Sequence, residues 1–298
     1  MPYSHLEGWT PIGYQAKPEP RLLWLDLRRC GLERPLFNHA LADWRDREQP
    51  PVIHTSLSAL AALDDQSSLE PGLIIVHPSR CGSTLLARLA AAGGDAQLLL
   101  EPALLAQLLQ HNRTSGLDGP VEPVLRSAVR ALARVQRPGE RHCILKLSSQ
   151  MTRFLPEIRR AFPKAPVIWL QRQPAEIVES NISNPPGRRS SIPAEKMTDW
   201  LIRRVTLAFM AATAFVDDQV QVLDYRDLPD GAWSRIADIM GFDPAASLAR
   251  MHDITRRDAK TGKPYVPRLR QVLPGKIQTI IRDTLDPLYE DLALRRLA

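Results

Sequence analysis

A chain of 298 residues, 44% apolar and 24% charged, can bury one large core and has the balance of a soluble globular protein. Its apolar runs, such as Leu73–His77 and Val167–Leu170, fall far short of the ~20 residues that cross a bilayer, and Met1-Pro-Tyr-Ser-His5 opens no secretory signal. The net charge of +6 suits an anionic ligand, but only 6% of residues are aromatic and they do not interleave with the basic ones, which argues against a nucleic-acid platform.

The three cysteines, Cys30, Cys81 and Cys143, are odd in number and lack metal-ligand spacing, so they read as reduced thiols of a cytoplasmic protein. Residues 1–70 carry Pro11, Pro18, Pro20, Pro50 and Pro51 around predicted short helices at Leu22–Cys30 and Leu36–Arg47. They read as a helical, irregular N-terminal extension to an α/β domain spanning 71–298. From Gly72 the pattern alternates. Strands are predicted at Leu73–His77, Gln97–Leu100, Cys143–Leu147, Val167–Leu170 and Val220–Leu223, and helices at Ser83–Ala92, Pro102–Gln110, Pro123–Val135 and Met151–Phe162. Such alternation predicts a three-layer α/β fold, a parallel sheet with helices on both faces. Ser183–Ala194, with Pro185, Pro186, Gly187, Arg188 and Arg189, is predicted to be a mobile loop. Its two arginines are either solvated or turned toward an acidic acceptor.

Leu73–Leu86, LIIVHPSRCGSTLL, is the most informative segment. A buried strand runs into a turn of small residues, and a helix opens at Ser83-Thr84. That geometry aims backbone N–H groups and the positive end of a helix dipole at an anion. Ser83 and Thr84 add hydroxyls and Arg80 a charged fork; helix capping alone would account for the two hydroxyls but not for Arg80-x-Gly82 before them. A nucleoside-triphosphate loop needs Lys where Ser83 stands, and an acidic strand end to hold magnesium where Gln171-Arg172 stands. The site is therefore built for negative charge without that metal.

Ser79-Arg-Cys-Gly-Ser-Thr-Leu-Leu86 resembles the 5′-phosphosulfate loop of the sulfotransferase family, written P-[RK]-S-G-[ST]-T, in Arg80, Gly82, Ser83 and Thr84. It departs from that motif at Ser79 and at Cys81, which would contribute its N–H; a helix N-terminus is expected to lower the Cys81 thiol pKa. Val167–Ser180 is similar to the family's 3′-phosphate element, in which Arg172 ends a strand, Pro174 opens a helix and Ser180 follows eight positions after the arginine. Val222–Leu228 resembles the strand and acidic turn that follow, and Arg256–Lys263 the basic loop that closes over the 3′-phosphate, where Arg257 and Lys260 either touch the nucleotide or are merely solvated. The resemblance covers residues 72–265 and is to enzymes of bacterial type. It implies a P-loop-like fold and transfer of a sulfuryl group from 3′-phosphoadenosine-5′-phosphosulfate, PAPS, to a hydroxyl or amine of a small-molecule, carbohydrate or peptide acceptor, leaving 3′-phosphoadenosine-5′-phosphate, PAP, with no metal.

The resemblance also implies roles. Arg80 and Lys146, which matches the lysine of the family's Lys-x-His element, would neutralise charge growing on the leaving oxygen. Ser148 stands where that element has its catalytic histidine. Glu101, directly after a strand at the carboxyl edge of the sheet, is the candidate base, with a pKa expected to be raised by partial burial; it could otherwise serve only as a helix-initiating acid. His77 and His111 are weaker candidates. Two other readings stay open: a phosphotransferase of the same fold using an ordinary nucleotide, and a nucleotide-binding protein that has lost its base.

Overall fold

Trp9–Gln15 (β1), Arg21–Asp26 (β2) and Ile53–Thr55 (β3) form an antiparallel sheet in the order β1-β2-β3, whose middle strand lies where sequence predicted the Leu22–Cys30 helix. This is a computed structural model, and it describes residues 6, 8–27, 37–62, 68–117, 119–134, 138–184, 192–266 and 271–295. The Leu22–Cys30 helix is thus corrected to a strand as far as Asp26, with Cys30 outside the described residues. Leu22 and Trp24 point to one face and are fully buried. The Trp24 indole donates to Thr55 Oγ at 2.8 Å, and the Tyr14 N–H donates to Gln107 Oε1 at 2.7 Å. Tertiary burial overrides the helix preference of the Leu-rich run. The second predicted helix is present as Phe37–Glu48 (α1), and Ser58–Ala62 (α2) follows β3.

The five predicted apolar runs become one parallel sheet: Pro71–Val76 (β4), Ala96–Leu100 (β5), His142–Lys146 (β6), Val167–Gln171 (β7) and Val220–Asp224 (β8). Its order is β5-β6-β4-β7-β8, and every registered pair is parallel. Both faces are buried, which is why these strands read as continuous apolar runs rather than alternating ones. Leu73, Ile75, Ile144, Ile168, Leu170 and Leu223 face one layer; Ile74, Val76, Leu145, Trp169 and Val222 face the other.

The first layer is Ser83–Ala90 (α3), Trp233–Met240 (α9) and Leu248–Thr255 (α10), packed through Leu86, Leu89, Ile236, Met240 and Met251. The second contains Ala103–Ser115 (α4), Val121–Leu132 (α5), Leu155–Ala161 (α6), Pro174–Ser183 (α7) and Ala194–Phe215 (α8), followed by Gly275–Thr284 (α11) and Asp286–Arg295 (α12). The N-terminal sheet joins that same core through Tyr14, Leu22 and Trp24. In this layer Trp169 meets Phe209 of α8 edge to face at 5.7 Å, the favoured aromatic geometry. No helix among the described residues is long and apolar enough to cross a membrane. Of the predicted mobile loop, residues 185–191, including Arg188 and Arg189, lie outside the described residues.

The strand order reverses around β4: the chain steps out to β5, returns to β6, and then continues on the other side to β7 and β8. The crevice at the carboxyl ends of such strands is where open α/β sheets take ligands. Four strands deliver a marked residue there: the turn after β4, Glu101 after β5, Lys146 ending β6 and Arg172 after β7.

Candidate functional site

The turn after β4 departs from ordinary backbone. Ser79 has φ 85°, Arg80 φ 50° and Gly82 φ 86°, and Glu101 across the crevice has φ 54°; among the described residues the only other non-glycine with positive φ is Gln49. Left-handed backbone at non-glycine residues costs free energy and concentrates at functional sites. Gly82 is required sterically as well, since a Cβ there would lie 2.5 Å from the Tyr225 ring. Helix α3 opens directly after it with no side-chain cap, and Ser83 and Thr84 are buried. The first-turn N–H groups of a helix lack intrahelical acceptors, so this end is disposed to take an anion.

Several contacts fix the turn. The Ser79 N–H donates to His77 Nδ1 at 3.0 Å, and His77 Nε2 donates to the Leu147 carbonyl at 2.9 Å. A carbonyl only accepts and an amide N–H only donates, so the ring is the neutral Nε2–H tautomer. Burial, then the Lys146 charge, lower its pKa to about 3, and both nitrogens are engaged. His77 therefore braces the loop and is not available as a base, while His111 lies in tilted ring contact with Tyr14, 5.2 Å between centroids, at the N-terminal sheet. Asn181, one residue past the predicted Ser180, donates to Ser79 Oγ at 3.0 Å. Arg80 donates to the Asn184 carbonyl at 2.6 Å.

Arg172 reaches back to the same turn. Its Nη1 donates to the Arg80 carbonyl at 3.1 Å, its Nε pairs with Glu176 at 2.6 Å, and its guanidinium lies 4.3 Å over the Tyr225 ring. Tyr265, on the basic loop after α10, contributes to the raised pKa of Tyr225, after desolvation, so that loop is felt beside the β4–α3 turn. Lys260 on that loop keeps solvent exposure, yet desolvation first, then repulsion by Arg80 and Lys146, bring its pKa down to about 8. Arg257 instead pairs with Asp253 at 3.3 Å on the exposed side. Ser180 is half-buried on α7, its carbonyl accepting from the Asn184 N–H.

Lys146 and Glu101 form the centre. The Lys146 side chain is 1% exposed, and its ammonium donates to Glu101 Oε1, while His77 Nε2 lies 3.9 Å from the same oxygen. Strand pairing enforces this: the Glu101 N–H donates to the Lys146 carbonyl at 2.7 Å. The Glu101 pKa is lowered, not raised as expected. Burial, the largest single influence, pushes it up, but the Lys146 charge, the His77 interaction and the Lys146 hydrogen bond together outweigh it. Cys81 departs from expectation too: it is fully buried, and desolvation lifts its thiol to about 11 against the pull of Lys146 and of hydrogen bonds from Ser83. The helix end is not enough to offset removal from water.

No family model matches the chain, and no curated protein does either. Solved structures do. The chain is similar to a sulfotransferase of Mycobacterium avium (15% identity, 85% of this chain and 83% of that one, TM-score 0.49) and to one of Alicyclobacillus acidocaldarius (13%, 76% and 96%, 0.45). It is also similar to a sulfotransferase of Mycobacterium tuberculosis H37Rv (16%, 72% and 75%, 0.44). All three are sulfotransferases. At these identities the likeness does not speak to chemistry, which has to be argued from the residues.

The predicted site residues Arg80, Cys81, Gly82, Ser83, Thr84, Glu101, Lys146, Arg172 and Lys260 gather at one sheet edge, whereas Arg257 is not brought to the turn by any contact among the described residues. Sequence reasoning missed Asn181, Tyr225 and Tyr265. Tyr225 sits inside the Val222–Leu228 segment singled out for its resemblance, and its close approach to Gly82 would have been the signal to follow.

Proposed function

We propose that the chain transfers a sulfuryl group from PAPS to an acceptor hydroxyl or amine, with residues 71–298 as the unit that carries the activity. The reading rests on one observation: an uncapped helix start with two buried hydroxyls, Arg80 in the turn with Arg172 donating to it, and the buried Lys146 paired with the half-buried Glu101 meet at the crevice of a parallel sheet. These residues fit a phosphosulfate. Arg80, Lys260 and the N–H groups from Cys81 to Thr84 would hold its charges, and Arg172 with Ser180 the 3′-phosphate.

The donor supplies the activated S–O bond. The chain's own work is positioning and charge placement, as in phosphoryl transfer. As the bond from sulfur to the phosphate oxygen breaks, Lys146 neutralises the charge left on that oxygen. As the acceptor oxygen or nitrogen bonds to sulfur, its proton passes to Glu101. Glu101 is ionised at neutral pH and so ready to receive it. Engagement of Lys146 by the leaving oxygen relieves the influence that lowers the Glu101 pKa, which strengthens the base as the proton arrives.

Calorimetric titration with PAP, beside ADP and ATP with and without Mg²⁺, tests the donor reading. PAP is expected to bind without Mg²⁺, and Arg172→Ala to weaken it at least about tenfold, as loss of a charge-assisted contact does. ATP–Mg²⁺ binding in the absence of PAP binding would overturn this reading in favour of an ordinary nucleotide phosphotransferase.

A further inference from the structure

Asn181 shares the buried face of α7 with Ile177 and Val178 and is 4% exposed. No motif marks it. An asparagine there is unfavourable on two counts: it is a poor helix former, and burying an amide without partners costs free energy. A leucine would serve the core better. The amide is fully employed instead. Its Nδ2 donates to the Ile177 carbonyl one turn back at 3.0 Å, and to the Ser79 hydroxyl, 102 residues away in sequence, also at 3.0 Å. Its Oδ1 lies 3.4 Å from the same hydroxyl.

Ser79 is where the chain departs from the phosphosulfate motif, which has proline at that position. The departure changes the backbone. Ser79 has φ 85°, and its N–H donates to His77 Nδ1 at 3.0 Å. Proline can do neither, because its ring fixes φ at about −65° and it carries no N–H. The turn therefore follows a path closed to proline, and a serine on that path lacks the ring that would make it rigid. The Ser79 hydroxyl supplies a constraint in its place, tied to α7 by Asn181. Arg80 is held from the same side: its Nη2 donates to the Asn184 carbonyl at 2.6 Å, and its own carbonyl accepts from Arg172 at 3.1 Å.

We propose that Asn181 is a positioning residue that, acting through the Ser79 hydroxyl, holds the β4–α3 turn in the shape that receives the 5′ end of the donor. Arg172 keeps Glu176 and the Tyr225 ring as partners whatever stands at 181, so the 3′ end does not depend on this link. The inference rests on the sulfotransferase reading and deepens it.

The test uses the full chain and Asn181→Leu, which keeps the volume and the helix but removes the donor to Ser79. Dissociation constants are measured by calorimetry for PAP and, by displacement of PAP, for adenosine 5′-monophosphate, which lacks the 3′-phosphate. Asn181→Leu should weaken both about tenfold, the upper end for one hydrogen bond, with no fall in the urea midpoint. The ratio of the two constants, which measures the 3′-phosphate's share, should stay within about twofold of wild type, whereas Arg172→Ala should collapse it. Ser79→Ala should match Asn181→Leu, and the double variant should bind no more weakly than either single one, because both remove the same link. PAP affinity of Asn181→Leu within twofold of wild type, a collapsed ratio, a loss that tracks a lower urea midpoint, or additive losses in the double variant overturns the inference and leaves the donor reading in place. Failure of PAP to bind the wild-type chain overturns the donor reading, and the inference with it.

Discussion

Two strands of the parallel sheet end in a buried charge, and they use it in opposite ways. Lys146 closes β6 and Asp224 closes β8, each 1% exposed. Asp224 is saturated: its Oδ1 accepts from the Arg226 N–H at 2.9 Å and from Arg226 Nε at 3.1 Å, and its Oδ2 accepts from Tyr289 Oη at 2.6 Å. Its own N–H donates to Asp227 Oδ2 at 3.1 Å, completing a capping box. Arg226 also donates to Tyr289 Oη at 2.7 Å, so the network ties α12 to the sheet. Lys146 has Glu101, but the charges of Arg80 and Lys260 are felt beside the pair, with no second carboxylate bonded to Lys146 among the described residues. A buried charge whose partners saturate it acts as architecture; one set in a surplus of like charge is arranged for a ligand of the opposite sign.

The largest effect expected from this contrast is on turnover. Lys146→Met should lower kcat by about 10²–10³, the loss typical when one preorganised donor to developing charge is removed. Folding should survive, because Glu101 is 32% exposed in its side chain and water can solvate it once the lysine is gone. A variant that transfers sulfuryl at near wild-type rate would assign Lys146 to architecture and erase the contrast.

At the other end the effect should fall on stability. Asp224→Ala removes three accepted hydrogen bonds and leaves the Tyr289 hydroxyl and the Arg226 N–H without their acceptor, at a cost of about 2–4 kcal/mol. Chemical denaturation measures this. PAP affinity, taken where the variant is still folded, is expected to hold within about threefold. A tenfold loss of affinity in a folded variant would mean that the β8 end also belongs to the site, through Tyr225 next door.

How much of this was legible follows from the same physics. The five parallel strands could be read because burial on both faces makes each a short, unbroken apolar run with turn residues at its ends. The β4–α3 turn could be read because Arg80, Gly82, Ser83 and Thr84 fall within five consecutive residues. The N-terminal sheet could not: Arg21–Asp26 is too short and too rich in Leu for its period to distinguish strand from helix, and its partner β1 carries Pro11 and Gly13 within it. The charges at the site were legible as residues but not as states. Glu101 and Cys81 were each assigned a shift from one cause, burial for the first and the helix end for the second. The neighbours that decide the sign, Lys146 for Glu101 and the closed apolar surroundings of Cys81, come from other strands and helices.

The smallest expected effect isolates His77, which links the β4–α3 turn to the Lys146 strand end. Its folded pKa of about 3 lies below the ordinary value near 6.5, so the folded chain refuses a proton that the unfolded chain accepts. The sign follows from linkage. Above pH 6.5 neither state is protonated and the contribution is complete; as pH falls toward 3 the unfolded state binds the proton alone, and stability drops by up to about 1.4 kcal/mol per pH unit. Carboxylates enter only below pH ~5, and His142, whose pKa burial also lowers, titrates alike in wild type and variant, so between about pH 6.5 and 5 the difference between the two curves belongs to His77. His77→Gln keeps a donor for the Leu147 carbonyl but cannot titrate. Its urea-denaturation free energy should start lower, for want of the acceptor to Ser79, and run flatter across that window than wild type. Parallel curves would mean that His77 is protonated as readily in the fold as out of it, and that the turn is braced by something other than a neutral ring.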